Sequence, residues 1–233
     1  MTLGNNNGST KKFVTVLADG KFHQSVDEGT QGAVIREYED SKGNKGKKTE
    51  FVFTEATGKI TDIKFEEGEF GKSIQIEMDG NGIISLSTSS SFGEDFMKKL
   101  PNIDLGDVVL FKPYAFEDDN GKSKKGITIY QNGAKVENYY YDPVAKKPCN
   151  GMPVPEGNTN KFSSDDWKLH FMIVRKFLIQ EVEKIVANSD DKLNARVEPR
   201  EARKPTQVKE FDEDDIPVIN EGEEMQDVEN MPF

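Results

Sequence analysis

The chain has 233 residues, one cysteine, a mean hydropathy of −0.70 and a formal net charge of −11. A single cysteine excludes an internal disulfide, and no stretch approaches the ~20 apolar residues of a membrane-spanning helix. Residues 209–233 hold one basic and ten acidic side chains, a net of −9, so the first 208 residues carry only −2 and can present a basic face beside an acidic tail.

Residues 1–11 are polar and rich in Gly and Asn, and are predicted to be a flexible start without the apolar run of a signal peptide. Together with the missing membrane span, this predicts a soluble, cytoplasmic protein. "KKFVTVLADGKFHQSV" places two β-rich runs around Asp19-Gly20, a hairpin dipeptide. "GAVIREYE" adds a third run before the basic loop "DSKGNKGKKTE". These runs predict an N-terminal β extension.

From about residue 50 to 141, strand patterns alternate with turn signals. Ile74, Ile76 and Met78 share one side, and Ser73, Gln75 and Glu77 the other, the period of a half-buried strand. "SSSFGEDFMKKLP" predicts one short helix, with Ser91 as N-cap, acids in the first turn, lysines in the last and a proline to stop it. "VVLFKPYAFE" and "ITIYQNGAKVENYYY" are strands on either side of the lysine-bearing loop "DDNGKSKKG". From Gly58 the order is strand, strand, strand, short helix, strand, strand. That is the order of an OB-fold, a five-stranded Greek-key barrel with its helix between the third and fourth strands. The predicted fold is therefore mainly β: an OB-fold-like barrel with an N-terminal β extension, one long C-terminal helix and a disordered acidic tail.

Residues 12–142 are the predicted binding domain, 143–162 a Pro/Gly linker, 163–189 an amphipathic helix and 190–233 a disordered tail. In the helix, Ser164 is the expected cap, with Asp165 and Asp166 favourably placed at the N-terminal end of the dipole. Trp167, Phe171, Val174, Leu178, Val182 and Ile185 recur at threes and fours. Leu169, Met172, Ile173, Phe177, Ile179 and Val186 widen the apolar surface. A stripe this wide predicts packing on the barrel or on a second copy of the chain, a homo-oligomer through the 163–189 helix.

Enzyme signatures are absent: there is no Walker-type loop, G-x-S-x-G, H-E-x-x-H or EF-hand. "DDNGK" at Asp118 lacks the glutamate a calcium loop needs at position twelve and reads as a hairpin turn. Glu66-Glu67 has no partner base, His23 and His170 read as structural histidines, and Cys149 has no evident activating neighbour. No catalytic residue, metal or cofactor is predicted.

Cations beside aromatic rings are the informative pattern, because single strands are bound by cations that follow phosphates and rings that accept stacked bases. Lys112, Tyr114 and Phe116 share one side of a predicted strand, Lys122, Lys124 and Lys125 lie in the following loop, and Tyr130 is on the next strand. Phe70 and Lys72 sit in the first hairpin of the barrel, which with the last hairpin flanks the groove of an OB-fold. Lys47, Lys48 and Lys59 extend the predicted track, with Tyr139, Tyr140 and Tyr141 near its end.

The tail supplies a resemblance. It holds Asp214-Asp215-Ile216-Pro217 and ends on Met231-Pro232-Phe233. An acidic run behind a basic β domain, closing on Pro-Phe, resembles bacterial single-stranded DNA-binding proteins. The added β extension and helix make the chain more similar to phage-encoded members, which implies a host cytoplasm. The usual acidic-Ile-Pro-Phe tip is split here, since Val218 follows Pro217 and Pro232 follows Asn230-Met231. The resemblance implies coating of transient single-stranded DNA in replication, recombination and repair, and recruitment of replication or recombination proteins through the tail. A competing expectation is an acidic adaptor or nucleic-acid mimic whose barrel binds protein, and a weaker one is an RNA-binding barrel.

Overall fold

The computed structural model describes residues 11–39, 43–68, 71–80 and 82–194, with side chains to 188. β1 (Lys12–Val16) and β2 (Phe22–Ser25) form the hairpin expected at Asp19-Gly20. Gly20 has φ +71°, and a Cβ there would run into the Tyr114–Ala115 backbone, so neither its conformation nor its surroundings admit a side chain. β3 (Val34–Glu39) and β4 (Lys45–Phe53) form a second antiparallel pair, and β4 also pairs with β2.

β5 (Ala56–Gly68) is the longest strand. Its first residues pair with β8 (Val108–Glu117), and the rest pairs with β6 (Gly71–Met78) across a register shift between Ile60 and Asp62. Such a shift bends a strand and lets one sheet turn a corner. β7 (Gly82–Ser87) continues from β6, and β9 (Ser123–Gln131) pairs with β8. β10 (Ala134–Lys135) ends this side of the sheet. The strand order is β10-β9-β8-β5-β6-β7-β1-β2-β4-β3.

The closed barrel expected from the sequence is not what forms. Among the described residues no pairing joins β7 to β9, and two other elements take those edges. β1 lies parallel to β7, Lys12 beside Gly82 and Thr15 beside Ser85. Helix α1 (Ser91–Lys99) covers β9: Ile127 donates its N–H to Asp95 Oδ2 at 2.8 Å, and its carbonyl accepts from Lys99 Nζ at 2.6 Å. Asp95 and Lys99 are one helical turn apart and 2.9 Å from each other. Pro113 sits opposite Ile127, at a pair whose amide groups face away from the hairpin, so its missing N–H costs no ladder bond.

Both helix starts lie one residue before the expected cap. Ser90 Oγ accepts from Gly93 N–H at 3.1 Å at the start of α1. At α2 (Ser164–Asn194), Ser163 Oγ accepts from Asp166 N–H at 3.2 Å while Asp166 accepts from Ser163 N–H at 2.8 Å. These are reciprocal capping bonds, which satisfy amides that a helix start leaves without partners. The Ser163 bonds also hold the Asp166 carboxyl below its ordinary range.

Inward-facing Ile63, Ile74, Ile76, Val109, Phe111 and Ile129 build the core with Phe92 and Phe96 of α1. Val174, Leu178 and Val182 of α2 join the same cluster, so the long helix packs within its own domain, chiefly against α1. The stretch 143–162, expected as a linker, contains part of a two-stranded ribbon, β11 (Tyr141–Asp142) with β12 (Lys147–Pro148), and a 3-10 turn at Thr159–Lys161. No helix among the described residues is long and apolar enough to cross a membrane.

Leu178 is fully buried and Met172 is 58 % exposed on the same helix. Leu178→Ala is therefore expected to cost ~2–5 kcal/mol. In the monomer, Met172→Ala should stay within ~0.5 kcal/mol. Chemical denaturation of the two variants checks this.

Candidate nucleic-acid interface

Strand alternation sends Val109, Phe111 and Pro113 of β8 inward, and Leu110, Lys112, Tyr114 and Phe116 outward. Antiparallel register then sets Tyr130, Thr128, Gly126 and Lys124 of β9 opposite these four outward residues in turn. β5 adds Lys59 opposite Val108 and Thr57 opposite Leu110. One face thus gathers Lys59, Lys112, Tyr114, Phe116, Lys124 and Tyr130. From Val108 to Phe116 it runs ~27 Å.

Tyr114 and Phe116 are its apolar centre. Their ring centroids are 5.8 Å apart at 36°, and the residues are 37 % and 55 % exposed. Gly126 makes room for Tyr114: a Cβ there would lie 2.8 Å from Tyr114 Cζ and 2.7 Å from Asp95 Oδ2. Burial, and secondarily the Asp95 charge, push the Tyr114 phenol above its ordinary range. Tyr114 is thus a pinned ring lying over a glycine, and Phe116 is the freer platform. Tyr130 is half-buried beside Leu110.

The cations are exposed and weakly paired. Lys112 Nζ lies 3.2 Å from Glu55, and Lys124 Nζ lies 3.7 Å from Asp118. Asp118 Oδ1 also accepts from the backbone N–H of Asn120 at 3.1 Å and of Lys122 at 2.8 Å, which closes the β8–β9 turn. Those backbone bonds, led by Lys122, hold its carboxyl below the ordinary range. Lys122 lies in this turn, and Lys125 pairs with Ala115, on the alternate side of the strand from Tyr114.

Other predicted residues lie elsewhere. Lys72 reaches α2, 3.3 Å from Glu183 and 4.5 Å from the Phe65 ring centroid. Lys47 and Lys48 are on β4, with five strands between β4 and β8 in sheet order. Lys47 pairs with Glu37 at 3.0 Å. Phe70 and the tail residues Asp214, Asp215, Ile216, Pro217, Met231, Pro232 and Phe233 lie outside the described residues.

Sequence reasoning missed the cluster on β3 and β4. Tyr38 has the Arg36 guanidinium 5.8 Å and the Lys48 ammonium 5.4 Å from its ring centroid, with Gly46 opposite it on β4. Arg36 also grips buried Glu50 with two bonds, at 2.8 and 2.9 Å. Buried His23 contacts Glu50 at 2.9 Å through Nδ1 and Asp19 at 3.1 Å through Nε2, a structural role as expected. The available signal was the alternation of Arg36 and Tyr38 along "VIREYE". Glu50, the partner of Arg36, is fourteen residues away, beyond the reach of periodicity.

The chain matches no protein-family model, no curated protein and no solved structure. Among the described residues no group of His, Cys, Asp and Glu is placed to hold a metal ion.

The Arg36 hydrogen bond, with a smaller share from His23, holds the Glu50 carboxyl below its ordinary value of 4.5. A carboxyl lowered by folding stabilises the fold above its unfolded pKa, and that stability is lost as pH falls through the folded value. Wild-type stability should thus decline below about pH 4.5, and Glu50→Gln should lack that part of the decline. Denaturant midpoints measured between about pH 3 and pH 6 check it.

Proposed function

We propose that this protein binds single-stranded DNA along the outward face of β8 and β9, and that β5–β9 with α1 are an OB-fold whose barrel is left open. Two lines of topology support the fold reading. β5 pairs with both β6 and β8, β6 with β7, and β8 with β9, while α1 falls between the third and fourth of these strands. The closing contact of such a barrel is replaced by β1 on one edge and α1 on the other.

The observation that carries the binding reading is the exposed Tyr114–Phe116 pair, 5.8 Å between centroids, with Lys112 and Lys124 on the same face. Rings offer stacking to any base, and lysines follow phosphates without reading sequence. Stacking on these rings needs an unpaired base, which favours single strands over duplex. Phe116, more exposed than Tyr114, is the principal platform.

The test is oligo-dT affinity across a salt series, with matched duplex and RNA competitors. Single-stranded DNA should bind tighter than either. Phe116→Ala should weaken binding by ~1–3 kcal/mol, with Tyr114→Ala adding a stability loss because its ring lies over Gly126. Charge removal at Lys112 and Lys124 should make the negative slope of log affinity against log salt shallower by about 1.4. Equal affinity for duplex would overturn the reading, and absence of nucleic-acid binding would favour the adaptor.

The tail is assigned a recruiting role. Phe233 offers a ring to a partner pocket, where lysines or arginines around it can hold the acidic side chains of 209–233. Deleting Pro232 and Phe233 is expected to leave oligo-dT affinity unchanged and to abolish capture of replication or recombination proteins. Pull-downs with full-length and 1–231 protein check this, and unchanged capture by 1–231 removes the terminal pair from the role.

A further inference from the structure

Helix α2 has two faces with different fates. Val174, Leu178 and Val182 are buried in the core. On the other side, Leu169 is 55 %, Met172 58 % and Ile173 49 % exposed. At 100° per residue, Asp165, Leu169, Met172, Ile173 and Lys176 fall within about 100° of arc, opposite the buried face. The described residues place nothing over this stripe.

We propose that this stripe is the contact between two copies of the chain, paired as antiparallel helices about a two-fold axis. The order of residues selects the occupant. Along the stripe the chemistry runs acid, apolar, apolar, base: Asp165, Leu169, Met172, Lys176. Reversed, as a two-fold axis requires, the same list sets Asp165 of one copy against Lys176 of the other and Leu169 against Met172 of the other. Each of these four positions meets a suitable partner, and each pairing occurs twice. An acidic segment such as the chain's own tail would meet Lys176 favourably but Asp165 unfavourably, so it fits one end only.

The overlap from residue 165 to 176 is twelve residues, or ~18 Å of helix, a contact at the low end of interface size. The dimer is accordingly a micromolar one that assembles as protein accumulates. This contact does not depend on the DNA-binding reading. Where both hold, two β8–β9 faces act on one strand, and linked sites bind more tightly than either alone.

The test is sedimentation of the full-length protein at rising concentration, with circular dichroism as the folding control. Wild type should approach twice 26.2 kDa below ~100 µM. Leu169→Asp with Met172→Asp should hold the chain at 26.2 kDa with an unchanged spectrum, since both side chains are exposed. Asp165→Lys and Lys176→Asp should each weaken the dimer ~10-fold by opposing like charges, and the double reversal should restore it. A wild type that stays monomeric to ~100 µM overturns the proposal, as does a dimer that survives the two aspartates. A double reversal no better than the single changes overturns the antiparallel register. If the wild type is monomeric and the two aspartates raise hydrogen exchange in 209–233, the stripe belongs to the tail and the proposal fails.

Discussion

The edge of β9 is the constraint on which the rest of the arrangement turns. A strand edge left open presents unpaired amides and carbonyls, and a sheet bent over a core must find something to cover them. Here one helical turn answers for Ile127: Asp95 takes its N–H and Lys99 reaches its carbonyl. Val136 N–H then bonds to the Ile129 carbonyl at 2.8 Å, and Ala134 pairs with Gln131. With that edge satisfied by side chains and a short return strand, β7 need not come round to meet it. The outer edge of β7 is free to take β1, and through β1 the remaining N-terminal strands attach.

Local pattern was enough for the pieces. The alternation of Ile74, Ile76 and Met78 gave β6, the Asp19-Gly20 dipeptide gave the first hairpin, and Val174, Leu178 and Val182 gave the buried side of α2. The caps missed by one residue because "SSS" and "SSDD" offer adjacent serines of equal propensity, and only the backbone decides which oxygen meets an amide. The closed barrel was a different kind of error. Periodicity shows that a strand has an inner side, but it carries nothing about which strand lies on its edge. The parallel β1–β7 contact joins residues seventy positions apart, and the Lys72–Glu183 pair spans 111.

The candidate face was legible where it rests on alternation along one strand. Lys112, Tyr114 and Phe116 share a side because strands have a period of two, and the β8–β9 register adds Lys124 and Tyr130. Lys72 and Lys125 sit in the right segments by sequence but project differently, Lys72 to α2 and Lys125 to the alternate side of β9. Both lie near the start of a strand, Lys72 on β6 and Lys125 on β9, in stretches whose sequence reads as turn and shows no alternation to fix a direction. Nor could the sequence rank Tyr114 below Phe116, since that depends on Gly126 lying opposite the tyrosine ring.

The parallel contact between β1 and β7 also sets an order of events during synthesis. Lys12 must wait for Gly82 to be made before its strand has a neighbour on that side. At ~5–20 residues per second, that is an interval of ~4–14 s. During it, β1 to β4 can pair among themselves, but Phe22 and Val14, both buried in the finished core, have no core to enter. β1 to β4 thus leave the ribosome before the strand that seals them, and a nascent chain spends seconds with those apolar residues open to chaperones and to neighbouring chains.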